Sequence, residues 1–274
     1  MAHESILIYR KFRYLKWALL LVAISSVLYI AHAPVGSPNG GTWLGYTLGT
    51  ISAGLMVWLA WFGIRKRSYK GSSGRLEDWL SAHVYLGLAL LIVATLHSGF
   101  QFGWNIHTLL YALMMGVALS GAVGLYFYSR FPRLLSQNRG GLSAEVMLSQ
   151  IADLDRDIRT LAMTLDDQTN NVVYESIKNT RIGNDFLRQL SGTDPQCPTS
   201  AARHYVERAG GQGLSTARRD LLARLVKKEG LLRRLRRDIQ LRLGLQVWLY
   251  VHVPLTFAML AALIAHVVTV FYYW

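Results

Sequence analysis

A chain of 274 residues that is 52% hydrophobic and holds a single cysteine, Cys197, has no means of forming an internal disulfide, a CxxC metal knuckle or a CxxCH attachment site. Its formal net charge of +13 raises the question of nucleic acid, but the basic residues sit beside long apolar runs, so the composition points to a membrane protein and not to a nucleic-acid binder.

Five apolar runs cover residues 14–33, 43–64, 79–102, 107–128 and 245–273, each close to the roughly 20 residues that cross about 30 Å of hydrocarbon. Arg10, Lys11, Arg13 and Lys16 precede the first. Arg65, Lys66, Arg67, Lys70 and Arg75 lie between the second and third, and Arg130, Arg133 and Arg139 follow the fourth. The connections 34–42 and 103–106 carry no Lys or Arg. The positive-inside rule therefore predicts a multi-pass protein of a bacterial-type inner membrane, with a cytoplasmic N-terminus and with Trp274 outside. The first run is too long for a signal peptide core and is read as a retained span.

Tyr14, Trp17 and Tyr29 mark the edges of the first span as interfacial anchors, and His32 lies at its outer end, either solvated or available to an outer site. The second span carries Gly45, Gly49 and Gly54, and the fourth carries Gly116, Gly121 and Gly124. Missing side chains allow helices to approach closely, and they equally leave room for a flat macrocycle; both readings stand at this point. His107 opens the fourth span as an interfacial cap or an additional outer-side residue.

From 134 to 242 the membrane signal stops. Met147, Ile151, Leu154, Ile158, Leu161 and Leu165 form a heptad seam, with Glu145, Asp153, Asp155, Asp157, Asp166 and Asp167 on its polar side. A second helix is predicted from an N-cap at Ser215 through Leu221, Leu225, Leu232, Leu235 and Ile239, with basic exposed positions. The two predict an antiparallel hairpin, with one helix around 172–190 and then a Gly/Pro loop containing Cys197 between them. The basic positions suit anionic lipid or an acidic redox partner. The expected domains are thus 1–133 with four spans, 134–242 as a cytoplasmic helical insert, and 243–274 as the fifth span.

The third and fifth spans share a pattern, Trp79-x₃-His83-x₁₃-His97 and Trp248-x₃-His252-x₁₃-His266. Fourteen residues of helix span about 21 Å and return to within about 40° of the same face, so each span holds one imidazole near each membrane surface. Both spans are expected to run from cytoplasm to outside, which sets His83 level with His252 and His97 level with His266. Two imidazoles fill both axial positions of a haem, so the expectation is an all-α five-span bundle holding two b-type haems between parallel third and fifth spans. Arg75, Arg130 and Arg242 lie near the depth of haem propionates.

These paired His-x₁₃-His helices resemble the transmembrane part of the ferric reductase and NADPH oxidase superfamily and, more loosely, other dihaem membrane cytochromes b. The resemblance implies that His83 and His252 hold a cytoplasmic-side haem and His97 and His266 an outer one, carrying electrons across the membrane. Those families continue into a sixth span and a flavin and nicotinamide domain, and no glycine-rich phosphate loop stands in this chain, so a self-contained NAD(P)H-driven enzyme is not expected. The expected role is an electron-transfer subunit of a larger hetero-complex, working between a cytoplasmic or quinone partner and an outer multihaem or iron–sulfur protein. Two alternatives are a subunit with its own quinone site using His107 or His32, and a non-redox five-span sensor or scaffold with a coiled hairpin.

Overall fold

The computed structural model describes residues 9–34, 36–67, 76–183, 186–209 and 215–272. Lys70, Arg75, Gly213, Tyr273 and Trp274 lie outside the described residues. Among the described residues all regular structure is helical: α1 (Tyr9–Ala31), α2 (Trp43–Arg67), α3 (Leu76–Ser98), α4 (Ile106–Arg139), α5 (Ala144–Ala162), α6 (Asp167–Asn179), α7 (Phe186–Ser191), α8 (Pro198–Ala209) and α9 (Thr216–Tyr272). Five of these, α1, α2, α3, α4 and α9, contain stretches long and apolar enough to cross a membrane. Helices are the form in which such segments satisfy their backbone groups without water.

The chain divides into two compact units, one comprising residues 1–123 and 249–274 and the other residues 124–248. Both draw on α4 and α9. The divisions fall inside the apolar runs, earlier on α4 and later on α9 than the change in composition suggests. The reason is that the second unit's packing continues up both helices: the Trp248 indole lies directly on Gly124, and the Phe131 ring packs where Gly244 has no side chain.

In the first unit α3 packs closely on α1 and α2. Its core joins Met56 and Leu59 of α2, Leu90 and Ala94 of α3, Leu110 and Met114 of α4, and Met259, Ala262 and Leu263 of α9. A smaller cluster of Leu44, Leu48 and Val93 is backed by Leu21 and Tyr29 of α1. The opposite faces stay apolar and exposed, with Leu20, Ile24, Val27 and Ile30 on α1, Val57 and Trp61 on α2, and Phe257, Ile264 and Val268 on α9. A contiguous apolar exterior of this extent is costly in water and natural in hydrocarbon.

In the second unit Ser143 caps α5 by accepting from the Val146 amide at 3.1 Å, and Asp166 caps α6 by accepting from Thr169 at 3.0 Å. Met147, Ile151, Leu154 and Ile158 are buried as the heptad predicts, but the next buried position is Ala162, with Leu161 and Leu165 at the edge of the core. A straight helix drifts off a strict seven-residue repeat, and the step of four from Ile158 follows that drift. Leu221, Leu225, Leu232 and Leu235 of α9 fill the other side. The acidic and basic faces pair in antiparallel order: Asp155 with Lys228 at 2.5 Å, Asp157 with Arg224 at 3.7 Å, and Asp166 with Arg218 at 2.5 Å.

The stretch between these helices departs from expectation. The helix expected over 172–190 stops at Thr180, whose backbone is extended, and resumes only as the short α7. The expected Gly/Pro loop contains α8, which starts at Pro198, where the fixed φ and missing amide suit a first helical turn. Thr199, Ala202 and Val206 bury one face of α8 at helical spacing. Cys197 sits just before it, buried in the same core, with Arg236 Nη2 3.5 Å from Sγ.

Candidate functional site

The four histidines of the repeated pattern are all partly buried in the first unit. Helix α3 delivers His83 and His97, and α9 delivers His252 and His266. The His97 and His266 rings meet with centroids 6.1 Å apart and planes at 84°. His83 and His252 are electrostatic neighbours at the other level. Each level therefore takes one ring from each helix, in the same order along both, and the apolar core around Leu90, Ala94, Met259 and Leu263 separates them.

What each ring can do depends on which nitrogen is engaged. His97 Nδ1 lies 2.7 Å from the Gly45 carbonyl, which can only accept, so Nδ1 carries the proton and Nε2 keeps its lone pair. His252 Nδ1 lies 2.7 Å from Ser120 Oγ, whose own hydrogen is committed to the Val117 carbonyl at 2.8 Å. Ser120 Oγ thus holds the His252 ring through Nδ1. His266 Nδ1 contacts His107 Nδ1 at 2.5 Å. His83 Nδ1 is enclosed without a well-formed hydrogen bond, the Leu59 carbonyl being the backbone acceptor that acts on it. Holding Nδ1 on a neighbour while presenting Nε2 is how metal-ligating histidines are oriented.

Small residues make the room. A side chain at Gly49 would begin 2.6 Å from His97 Cε1 and 2.8 Å from its Nδ1, and one at Gly40 would begin 3.2 Å from Cε1. Gly121 faces His252 Cε1 at 3.7 Å, whereas Gly54 and Gly116 have nothing within 4 Å. Gly45 serves the backbone turn at Asn39 and Gly40 as well as offering its carbonyl to His97. Trp79, at the shared offset before His83, stacks on Trp58 at 5.1 Å, with the Arg65 guanidinium 5.4 Å from its ring centroid. Phe62 stands 5.1 Å from His83.

The remaining candidates separate. His107 joins the His97 and His266 level, its ring centroid 4.5 Å from that of His266. His32 meets Trp43 edge-on at 5.2 Å, and its enclosed Nε2 has no hydrogen-bond partner. It lines a narrow cleft with Tyr29, Asn39 and Thr42. Arg130 is exposed on α4. Arg242 bonds Asp238 at 3.0 Å, and Asp238 is buried between it and the two-pronged guanidinium of Arg139. Burial alone would raise the Asp238 carboxyl, but the Arg139 and Arg242 guanidiniums hold it below its usual range.

Ser120 and Gly40 are the participants that the sequence reading passed over. A hydroxyl inside the apolar run of α4 and a glycine turn just before α2 were the available signals. Among the described residues no group of three or more His, Cys, Asp or Glu side chains is arranged to hold a metal ion. Searches with this chain against family models, curated proteins and solved structures give no match.

Proposed function

We propose that this chain is a membrane dihaem cytochrome b that passes electrons between the two sides of a bacterial-type inner membrane as one subunit of a larger oxidoreductase. The observation that carries the reading is the pairing of four histidines at two levels, with Nδ1 of His97 beside the Gly45 carbonyl and Nδ1 of His252 beside the Ser120 hydroxyl. A metal bound by two imidazole nitrogens at about 2 Å each would hold ring centroids roughly 6 Å apart, close to the spacing of His97 and His266.

The residues fit such a group. His83 with His252 would hold one haem and His97 with His266 the other, and the enclosed Nδ1 of His83, without a well-formed hydrogen bond, supports the reading. Bound haem would supply one-electron transfer chemistry. Gly45 and Ser120 orient the imidazoles, Gly40, Gly49 and Gly121 leave them space, and the core between the levels excludes water. The basic positions at the ends of the spans orient the N-terminus to the cytoplasm. An outer redox protein and a cytoplasmic or quinone partner are the electron donor and acceptor this arrangement calls for, with the helical insert as the cytoplasmic docking element.

The test is a pyridine haemochrome measurement per chain on wild type and on His83→Ala, His97→Ala, His252→Ala and His266→Ala. About two haems are expected in wild type, with losses grouping His83 with His252 and His97 with His266. Protein that is colourless after expression in haem-replete cells, or variants that keep full haem, would refute the reading.

A further inference from the structure

The four rings differ in what holds Nδ1, and one of the holders is itself a histidine outside the repeated motif. We propose that His107 is a positioning residue for His266, accepting the Nδ1 proton of that ligand and thereby lowering the reduction potential of the outer site relative to a site without it. The proposal rests on the haem reading above.

The geometry is specific. The two Nδ1 atoms lie 2.5 Å apart with the rings perpendicular at 89°, an arrangement in which only one of the two nitrogens carries the shared proton. If Nε2 of His266 faces a metal, its Nδ1 is the protonated one and must donate. His107 Nδ1 then accepts, and its own proton sits on Nε2. His107 is held in place by the start of α4, where Asn105 Oδ1 accepts from the Thr108 amide at 3.0 Å and Thr108 Oγ1 accepts from the Gly103 amide at 3.1 Å.

The chemistry follows from comparing acceptors. His97 donates to a carbonyl and His252 to a hydroxyl, whereas His266 donates to an imidazole nitrogen, the most basic of the three. A stronger acceptor on Nδ1 makes the ring a better electron donor through Nε2, which favours the oxidised state of a bound iron. His107 therefore stabilises the oxidised outer site through another residue, without touching the metal.

The experiment is a spectroelectrochemical titration at one pH of wild type, His107→Ala and His107→Gln, with haem counted per chain in each. His266→Ala identifies which of the two redox steps is the outer one. In His107→Ala the outer step is expected to move positive by roughly a tenfold change in the reduced-to-oxidised ratio, about 59 mV for one electron. The inner step should stay put. His107→Gln, whose amide oxygen can accept from Nδ1, should return the outer step toward wild type. If His107→Ala loses the outer haem altogether, retention of that haem by His107→Gln supports the proposal, and its loss there too overturns it. Two haems with an unmoved outer step in His107→Ala also overturn it, leaving the haem reading intact. Wild type with no haem refutes the haem reading itself.

Discussion

Replacing Gly49 with alanine pits helix propensity against packing, and the structure says which wins. In the interior of a helix the change gains about 1 kcal/mol of propensity. Here, however, the new methyl would begin 2.6 Å from His97 Cε1 and 2.8 Å from Nδ1, inside any normal contact distance. The ring cannot simply rotate away, because Nδ1 is tied to the Gly45 carbonyl at 2.7 Å on the same helix. Losing that bond costs about 0.5–1.5 kcal/mol, and the overpacking costs about 1–3 kcal/mol. The net expectation is destabilisation by about 1–3 kcal/mol, and loss of order at the His97 and His266 level alone. Gly54→Ala is the control on the same helix: nothing lies within 4 Å of its added methyl, so it should be neutral or gain up to about 1 kcal/mol. Denaturant unfolding of the full chain in mild detergent, followed by helical circular dichroism, reads both. Equal effects from the two substitutions would show that His97 does not occupy the space that Gly49 leaves, and the account of the cradle would fail.

Lys228 is fully buried beside the Asp155 carboxylate, which is about a quarter exposed. Lys228→Met should cost about 2–3 kcal/mol by leaving that carboxylate unpaired, less than a fully buried pair would because Asp155 keeps some water. Adding Asp155→Leu should recover most of the loss, and denaturant unfolding of the single and double variants checks it. Asp166 accepts from the Thr169 amide and hydroxyl and from Arg218, which lowers its carboxyl from 3.8 to about 2. Its folded value is the lower one, so its stabilising contribution is complete above about pH 4 and lost as pH falls through about 2. The stability difference between wild type and Asp166→Asn should shrink over that window, and a difference that stays constant from pH 5 to about 2 would contradict the assignment.

Much of this was legible in the sequence because the signals were long or periodic. Five apolar runs are a length argument, and the positions of five helices able to cross a membrane follow directly. The level and face of the four histidines rest on the rise of a helix, and the antiparallel pairing of an acidic seam with a basic one rests on their complementary charge. What escaped notice depended on short-range competition. Residues 172–190 look continuous by composition, but Thr180 leaves the helical region and the chain turns before α7. Pro198 reads as a loop residue, although it opens a helix whose buried face is set by Thr199, Ala202 and Val206. Arg242 was read by depth alone, and its bond to Asp238 depends on a carboxylate whose burial no pattern announces.

The repeated motif itself determines less than its symmetry suggests. It puts two imidazoles at each level, but the groups that orient them come from elsewhere: a carbonyl of α2 for His97, a hydroxyl of α4 for His252, and an imidazole at the start of α4 for His266. His83 has only the poorly formed approach to Leu59. Basicity of an imidazole at Nε2 follows the acceptor at Nδ1, so identical spacing produces two chemically different pairs. At the His97 and His266 level both rings have a close neighbour at Nδ1, and at the other level His252 does. If the chain carries electrons as proposed, its two sites differ in how their imidazoles are held, and that difference resides in the helices that the motif does not include.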